Sequence, residues 1–249
     1  LTPYQDNILL NLTTCTLIFF GGIGFLVIMD VLKRRNFRKL ALHSKVVLTT
    51  SIVLIVLGTV LLKFTEHISW MGAFFHSISA RTAGFSTYSI GEFTNAGLFV
   101  LCVLMFIGAS PGSTGGGIKT STFFVLAQST RSMFSKQAVG AFKRSISSQN
   151  VSKAYAISML SALVVIVATF LLCVLEPEFQ FIQLLFEVIS AFGTVGLSTG
   201  ITPDLSGAGK LVIILVMFIG RLGAMTLISM WIERPEKMIR YTEETIAIG

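Results

Sequence analysis

Charge is the scarcest property of this 249-residue sequence. Asp, Glu, Lys and Arg make up only 12% of it, whereas 53% of the residues are hydrophobic and the mean hydropathy is +0.81. A soluble domain usually carries about 25% charged residues. A surface with so few charges cannot face water everywhere, so the composition excludes an ordinary soluble protein and predicts that lipid covers most of the chain.

Cysteine and histidine are also sparse, with three of each. Cys15, Cys102 and Cys173 lie inside apolar segments and lack the spacing of a metal site, so we interpret them as packing residues. The three histidines are scattered along the chain and form no metal-binding set. The sequence therefore predicts no metal site built from side chains.

The basic residues are grouped, and their grouping matters more than the formal net charge of +7. They occur in short clusters at residues 33–45, 131–153 and 234–240, between long apolar stretches. This placement is typical of the positive-inside asymmetry of membrane proteins rather than of a groove that follows nucleic-acid phosphates. We predict that the three clusters and the C-terminus face the cytoplasm and that no nucleic acid binds.

Four apolar segments are long enough to cross a bilayer, which requires about 20 helical residues. They occupy approximately residues 9–32, 46–64, 154–175 and 211–232. Another apolar stretch, residues 98–134, is interrupted by a glycine-rich segment at residues 108–117. These runs predict an all-α membrane protein with several spanning helices.

Two further apolar stretches, residues 70–80 and 179–192, are too short to cross the membrane as helices. Each is followed by a glycine-containing loop and then by another spanning segment, which is the pattern of a re-entrant half-helix. Non-helical backbone is tolerated at membrane depth only where protein or a water-filled cavity receives its polar groups. The pattern predicts repeated units of spanning helix, pore half-helix and spanning helix around an ion pore.

The unit repeats within the sequence. Thr-Ala-Gly-Phe-Ser-Thr at residues 82–87 recurs 112 residues later as Thr-Val-Gly-Leu-Ser-Thr at 194–199. The same offset aligns Phe-Ile-Gly at 106–108 with Phe-Ile-Gly at 218–220, and Phe-Phe-Gly at 19–21 fits this position too. We therefore expect two complete units after the last helix of an incomplete one, and expect that the N-terminal part of a longer protein is missing.

Each repeated loop places a glycine directly after a half-helix, and glycine permits backbone angles that turn successive carbonyl groups toward one axis. A ring of carbonyl oxygens can replace the hydration shell of a cation, and the negative end of the half-helix dipole faces the same point. One such loop is compatible with a tight turn, but two in register favour a filter. The predicted ion-binding filter consists of Thr82, Ala83, Gly84 and Phe85 in the first loop and Thr194, Val195, Gly196 and Leu197 in the second.

On these residues the chain resembles the Trk/Ktr/HKT superfamily of K⁺ transporters, whose pore is built from four non-identical units of this kind. Residues 80–87 are similar to the third filter region and residues 192–199 to the fourth. Residues 108–119 are similar to the loop that interrupts the third inner helix, and Phe-Ile-Gly-Arg at 218–221 is similar to the fourth inner helix with its single arginine. The closing residues 242–249 look more like the Ktr branch than the Trk branch.

The resemblance implies the pore-forming membrane subunit of a K⁺ uptake system, with K⁺ bound only at filter carbonyls and no cofactor in this chain. It also implies a homodimer of pore subunits, a cytosolic nucleotide-binding regulatory subunit and a plasma-membrane location. The implied division is a preceding helix (1–40), a third-type unit with a broken inner helix (41–145), a fourth-type unit (146–235) and a cytoplasmic tail (236–249). Because the family's first two filter loops are absent, a Na⁺-conducting member and an unrelated symporter with broken helices stay open as alternatives.

The glycine-rich segment predicts a gate. Residues 108–117 contain five glycines and a proline, which cost about 1 and 3 kcal/mol relative to alanine in a helix. The repeat offset places Arg221 opposite Ala109, where its guanidinium can donate hydrogen bonds to loop carbonyls and repel a cation. We predict that the loop lies across the pathway below the filter and that Arg221 holds it closed. The predicted gate residues are Gly108, Ser110, Pro111, Gly112, Gly115, Gly116, Gly117, Lys119 and Arg221.

Two other charged residues near helix ends receive predicted partners. Arg81 ends the first half-helix, where we expect it to brace the filter against Glu187. Asp30 precedes Lys33 and Arg34, and we expect it to pair with one of them across a helical turn.

The segment around Ser110 also matches the G-x-S-x-G pattern of a serine hydrolase, which is the alternative from another class of protein. That catalytic arrangement needs a histidine base, which follows the serine in the α/β-hydrolases. His43, His67 and His76 all precede Ser110. The sequence therefore favours a transport protein over an enzyme.

Overall fold

The computed structural model describes residues 1–135 and 138–223, and within them the chain is almost entirely helical. The α-helices are α1 Ile8–Ile23, α2 Phe25–Arg34, α3 Leu42–Thr65, α4 Trp70–Ser79, α5 Asn95–Phe106, α6 Thr120–Ser135, α7 Ser148–Leu175, α8 Phe181–Gly193 and α9 Gly207–Leu222. Short 3₁₀ turns lie at Thr2–Tyr4, Phe37–Lys39, Ile90–Glu92 and Thr202–Asp204. The antiparallel strands β1 Gly140–Ala141 and β2 Arg144–Ser145 form a small hairpin between α6 and α7.

Helices α3 and α7 are long and apolar enough to cross a membrane, with 24 and 28 residues. They confirm the spans predicted at residues 46–64 and 154–175. Their outward faces carry exposed aliphatic and aromatic side chains, such as Val56 on α3 and Phe170 on α7, which suit contact with lipid. Within the described residues a third span is present if the bent pair α1 and α2 is counted as one. The chain is therefore an all-α membrane protein.

The prediction of one straight helix over residues 9–32 is wrong. The chain bends by 95° between α1 and α2, and Gly24 lies at the bend with a φ of +89°. A Cβ atom added there would lie 2.7 Å from the Pro111 carbonyl oxygen. Gly24 thus has both the backbone freedom and the bare surface that this close approach requires.

The last predicted span also ends early. Helix α9 stops at Leu222, and Gly223 has a φ of +84°, which is incompatible with a continuing helix. A single helix over residues 211–232 is therefore wrong at Gly223. The rest of that segment, the basic cluster at 234–240 and the predicted tail lie outside the described residues.

The two predicted half-helices are α4 and α8. Ser69 caps α4 through a 3.0 Å hydrogen bond from the Gly72 amide, and Gln180 and Gln183 form a capping box at the start of α8. Both helices are buried over most of their length. The largest hydrophobic cluster contains residues of α5, α7, α8 and α9, including the buried Phe186 and Phe192 of α8. This core holds the C-terminal ends of the half-helices, from which the predicted filter loops emerge.

A buried carboxylate joins the two spanning segments of the first complete unit. Glu66, at the C-terminal end of α3, accepts hydrogen bonds from the amide (3.0 Å) and hydroxyl (2.7 Å) of Thr94, the N-cap of α5. A Cβ atom at Gly97 would overlap the Glu66 carboxylate, so the glycine makes room for it. The negative charge at the start of α5 opposes the positive end of the helix dipole.

The second unit repeats this arrangement. Glu176, at the end of α7, accepts hydrogen bonds from the amide (2.9 Å) and hydroxyl (2.5 Å) of Ser206, the N-cap of α9. Gly209 makes room for the carboxylate as Gly97 does in the first unit. The Ala-Gly pairs at 96–97 and 208–209, which the 112-residue offset aligns, therefore mark the contact between an outer and an inner helix.

The hairpin between α6 and α7 carries two basic residues and packs against the basic segment 33–45. Its turn residues Phe142 and Lys143 have φ values of +52° and +62°. The Phe142 ring packs edge-on against Phe37 at 6.1 Å, and the Lys45 ammonium lies about 6 Å from both rings. Lys143 and Arg144 remain exposed at the tip.

Candidate pore loops and gate

The two predicted filter loops share one backbone conformation. After α4, Thr82 and Gly84 have φ values of +75° and +74°; after α8, Thr194 and Gly196 have φ values of +51° and +91°. Positive φ is uncommon for threonine, so its recurrence at aligned positions is informative. The repeat in sequence is thus a repeat in backbone geometry.

The amides at the middle of both loops are hydrogen-bonded to the half-helices from which the loops emerge. The Ala83 amide donates to the Ser79 carbonyl at 3.1 Å, and the Val195 amide donates to the Ser190 carbonyl at 2.9 Å. Because these amides donate to the half-helices, they do not occupy the carbonyl groups of the loops. Such carbonyls can coordinate a dehydrated cation.

The loops face each other. A Cβ atom at Gly84 would overlap the Val195 carbonyl oxygen, and one at Gly196 would lie 3.9 Å from the Gly84 Cα. A pocket of about 400 Å³ lies beside them, and its lining residues include Gly84, Phe85, Gly196 and Leu197. The structure therefore brings the two predicted filter segments together at the mouth of one pocket.

The predicted pairing of Arg81 with Glu187 is wrong. The buried Arg81 guanidinium donates to the hydroxyl (3.1 Å) and carbonyl (3.4 Å) of Ser51 on α3, which packs against α4. Glu187 instead accepts hydrogen bonds from residues that follow the second loop, including the Thr199 amide at 2.9 Å. Arg81 therefore fastens the first half-helix to its own outer helix.

The glycine-rich loop packs directly against the two predicted filter loops. The Gly116 amide donates to the Thr194 hydroxyl at 3.0 Å. A Cβ atom at Gly115 would overlap the Thr82 side chain, and one at Gly116 would lie 2.7 Å from the Thr194 hydroxyl oxygen. These two positions require glycine, because the loop backbone packs against the first residue of each predicted filter segment.

The loop leaves the inner helix and returns to nearly the same place. The Ile118 amide donates to the Phe106 carbonyl at 3.1 Å, and the Thr120 amide donates to the Ala109 carbonyl at 3.4 Å. Gly112 and Gly117 have φ values of +77° and +70°, which allow the chain to reverse. Helices α5 and α6 are therefore two parts of one interrupted inner segment.

The bend of the first helix holds the other side of this loop. The Ser110 amide donates to the Gly22 carbonyl at 3.0 Å, and the Phe25 amide donates to the Gly112 carbonyl at 3.4 Å. Pro111 approaches Gly24 at the bend itself. The loop is thus held between the α1–α2 bend and the two filter loops.

Two basic side chains donate hydrogen bonds to the loop, one from α9 and one from just after the loop itself. An Arg221 Nη of α9 donates to the Thr114 carbonyl, and the Lys119 Nζ donates to the Gly115 carbonyl. The Lys119 ammonium therefore lies against the loop. The separate prediction for Asp30 is confirmed by its 2.7 Å ion pair with Arg34.

The serine of the hydrolase-like motif is not arranged for catalysis. Ser110 is fully buried, and its hydroxyl accepts a hydrogen bond from the Thr120 hydroxyl at 3.1 Å. Within the described residues, which include all three histidines, no imidazole is hydrogen-bonded to Ser110.

Sequence reasoning missed several residues of the site. Thr114 is not among the predicted gate residues, although its carbonyl accepts a hydrogen bond from Arg221. Every residue has a backbone carbonyl, so the sequence does not indicate which one is the acceptor. Gly24 and Gly223 were hidden inside apolar runs, but their equal distance from the aligned Phe-x-Gly motifs was a usable signal. Glu187 was named with the wrong partner.

These features define a helical membrane protein in which two re-entrant loops meet above an interrupted inner helix. A family model described as TrkH, a cation transport protein, matches residues 1–240. The chain belongs to this family, which confirms the resemblance to the Trk/Ktr/HKT superfamily. Because it is a family of transport proteins, the serine-hydrolase alternative is set aside.

Curated relatives place the chain on the Ktr side of the family. It is 42% identical over 262 residues to the Ktr system potassium uptake protein B of Vibrio alginolyticus, covering 99% of this chain and 57% of that protein. It is 36% identical to the protein of the same name from Bacillus subtilis, covering 100% of this chain and 59% of the relative. It is also 38% identical to the potassium/sodium uptake protein NtpJ of Enterococcus hirae, covering 98% of this chain and 58% of the relative.

The fold also matches a solved structure. The crystal structure of the potassium transporter TrkH from Vibrio parahaemolyticus has a TM-score of 0.71 and 20% sequence identity to this chain, and the match covers 88% of this chain and 51% of that one. This likeness shows the shared fold. The chain spans slightly more than half the length of these curated relatives.

Proposed function

We propose that this chain is part of the pore-forming membrane subunit of a K⁺ uptake system. The observation that carries the proposal is the matched pair of loops. Gly84 and Gly196 face each other, and the amides of the residues before them, Ala83 and Val195, are hydrogen-bonded to the half-helices. The relatives named as potassium uptake proteins support K⁺ as the cargo. The proposal needs no cofactor in this chain.

The proposed mechanism is channel-like. Loop carbonyls replace the hydration shell of K⁺ at the filter, and the negative ends of α4 and α8 stabilise the ion there. Below the filter, the glycine-rich loop blocks the path, and the positive charges of Lys119 and Arg221 add an electrostatic barrier to a cation. Opening requires the loop to leave Thr82 and Thr194.

We further propose the setting in which the pore works. Family resemblance supports a homodimer of pore subunits, a cytosolic nucleotide-binding regulatory subunit and a plasma-membrane location. The basic clusters at residues 33–45 and 131–153 support a cytoplasmic side that includes the hairpin and the C-terminus.

The proposal is tested by K⁺ uptake. The full-length protein, produced in bacteria that lack other K⁺ uptake systems, is expected to restore growth at low external K⁺ and to take up Rb⁺ as a K⁺ analogue. Cells carrying the empty vector are the control. A correctly inserted protein that moves neither ion would contradict the proposed function.

Na⁺ conduction is a second candidate, favoured by one observation. The relative from Enterococcus hirae is named as a potassium/sodium uptake protein. Uptake of Na⁺ in the same cells, with and without competing K⁺, separates the two: K⁺ should suppress Na⁺ entry if this filter prefers K⁺.

The basic cytoplasmic segments and the charged tail are predicted to form the docking face for an acidic or mixed-charge regulatory subunit, and the exposed hairpin tip allows a test. Changing both Lys143 and Arg144 to glutamine should reduce co-purification of that subunit several-fold, because each exposed charge pair contributes up to about 1 kcal/mol. The loss should be largest at low salt, where screening is weak. The double variant is compared with Lys210→Gln, which removes a charge at the N-terminal end of α9. Equal recovery of the subunit with both proteins, at low and high salt, would place docking on another surface.

A further inference from the structure

Glu187 is a buried carboxylate behind the second filter loop. Only 5% of its surface is exposed. One carboxylate oxygen accepts hydrogen bonds from the Ser198 hydroxyl (2.7 Å), the Thr199 amide (2.9 Å) and the Thr199 hydroxyl (3.2 Å). The other accepts from the Thr202 hydroxyl at 2.7 Å. The side chain therefore holds the segment that directly follows Leu197, the last predicted filter residue.

In the described part of the chain, no basic side chain lies within 4 Å of this carboxylate. Within residues 1–135 and 138–223, the one ion pair closer than 4 Å joins Asp30 and Arg34. Arg81, the sequence-based candidate, is bound to Ser51. A buried charge is costly unless hydrogen bonds and an opposite charge compensate it. Neutral donors supply the hydrogen bonds here, and among the described residues no side chain supplies an opposite charge within 4 Å of Glu187.

Glu187 is linked to the predicted ion pathway through the residues that follow the second loop. Ser198 and Thr199, which bind Glu187, line the same pocket as Gly84 and Gly196. The carboxylate is thus separated from the mouth of the filter by one layer of residues. A charge acts on an ion more strongly through a protein interior than through bulk water, because the effective dielectric constant is lower there.

The first complete unit has no such carboxylate. The Ile-Ser-Ala alignment of residues 78–80 with 189–191 places His76 at the position of Glu187. His76 is fully buried, and neither ring nitrogen has a hydrogen-bond partner in the described part of the chain. Thr87, the counterpart of Thr199, likewise has an unpaired buried hydroxyl. The acidic side chain is therefore a feature of one loop and not a requirement of this loop conformation.

We propose that Glu187 is a positioning and electrostatic residue of the filter. Its carboxylate holds residues 198–202 in place and draws a monovalent cation to the second loop, which makes the two loops unequal in their attraction for the ion. The proposal rests on the function proposed above and extends it by assigning affinity for the cation to one side chain.

Glu187→Gln separates charge from geometry. The amide oxygen can keep the three hydrogen bonds from Ser198 and Thr199. The amide nitrogen can donate to the Thr202 hydroxyl, which then donates to the Ser198 hydroxyl 2.9 Å away. We expect the KM for K⁺ uptake to rise about tenfold because the attractive charge is lost, with a maximal rate within about twofold of wild type. Glu187→Asp, which retains the charge, should keep the KM closer to wild type than Glu187→Gln does.

Glu176→Gln is the matched control, since it removes an equally buried carboxylate that caps α9 away from the filter. Its KM should stay at the wild-type value. A second measurement does not depend on transport: K⁺ should protect the purified protein from thermal unfolding, and the half-protecting concentration should rise about tenfold in Glu187→Gln.

Each outcome either supports or overturns the proposed role of Glu187. Wild-type KM and wild-type K⁺ protection in Glu187→Gln, combined with a defect in Glu187→Ala, would assign Glu187 a structural role and overturn the proposal. If the wild-type protein takes up no K⁺, the function proposed above fails, and the protection experiment then decides whether Glu187 contributes to cation binding. Equal protection of wild type and Glu187→Gln would overturn the inference in that case as well.

Discussion

Replacing Arg221 with alanine is expected to raise K⁺ flux by about ten- to hundredfold when the regulatory subunit is absent. Arg221 donates to the Thr114 carbonyl in the middle of the gate loop. A hydrogen bond to a charged group contributes about 1.5–3 kcal/mol, and that energy corresponds to this range in the closed-to-open ratio. In the proposed mechanism, the variant also removes a positive charge that opposes cation entry below the filter.

Rb⁺ uptake into proteoliposomes, with and without the regulatory subunit, measures this effect. Arg221→Lys serves as one control, because it keeps the charge but loses the planar arrangement of donors and should give an intermediate flux. Lys210→Ala on the same helix is the second control and should leave flux unchanged. The gate hypothesis fails if Arg221→Ala inserts normally yet keeps the wild-type flux and full dependence on the regulatory subunit.

A shortened loop tests the same gate without altering a charge. Deleting Gly115 and Gly116 removes the backbone that packs against Thr82 and Thr194. Flux should rise as it does in Arg221→Ala, and combining the two changes should add little, because residues that act on one contact are not additive.

Gly84→Ser is expected to lower the preference for K⁺ over Na⁺ by about tenfold or more, since a side chain at φ +74° is strained and its Cβ would overlap the Val195 carbonyl oxygen. Displacing that oxygen changes the coordination that replaces the hydration shell. Gly196→Ser should have the smaller effect of the two. Its φ of +91° imposes similar strain, but an added Cβ finds no atom closer than 3.9 Å.

Competition between K⁺ and Na⁺ for uptake measures both variants against Gly207→Ser, in which the added Cβ meets nothing within 4 Å. The control should retain wild-type selectivity. Wild-type selectivity in both Gly84→Ser and Gly196→Ser would show that these loops are not the filter.

The membrane class, the long helices α3 and α7 and the interruption after α5 follow from the sequence alone. Each depends on a local property: an apolar run of sufficient length, or a segment so rich in glycine that a helix costs too much. The two half-helices follow from length as well, since ten and thirteen residues cannot cross a bilayer. The repeat then relates Gly84 to Gly196 before any coordinates are known.

The bends and the partners were decided by tertiary contacts. A glycine in an apolar run is compatible with a helix or with a break, and at Gly24 the Pro111 carbonyl packed against its bare backbone requires the break. Arg81 binds Ser51 rather than Glu187 because α3, not α8, packs along the half-helix α4. Hydrogen-bond acceptors such as the Thr114 carbonyl exist at every residue, so the acceptor that receives Arg221 depends on how the gate loop folds back between the filter loops and the α1–α2 bend.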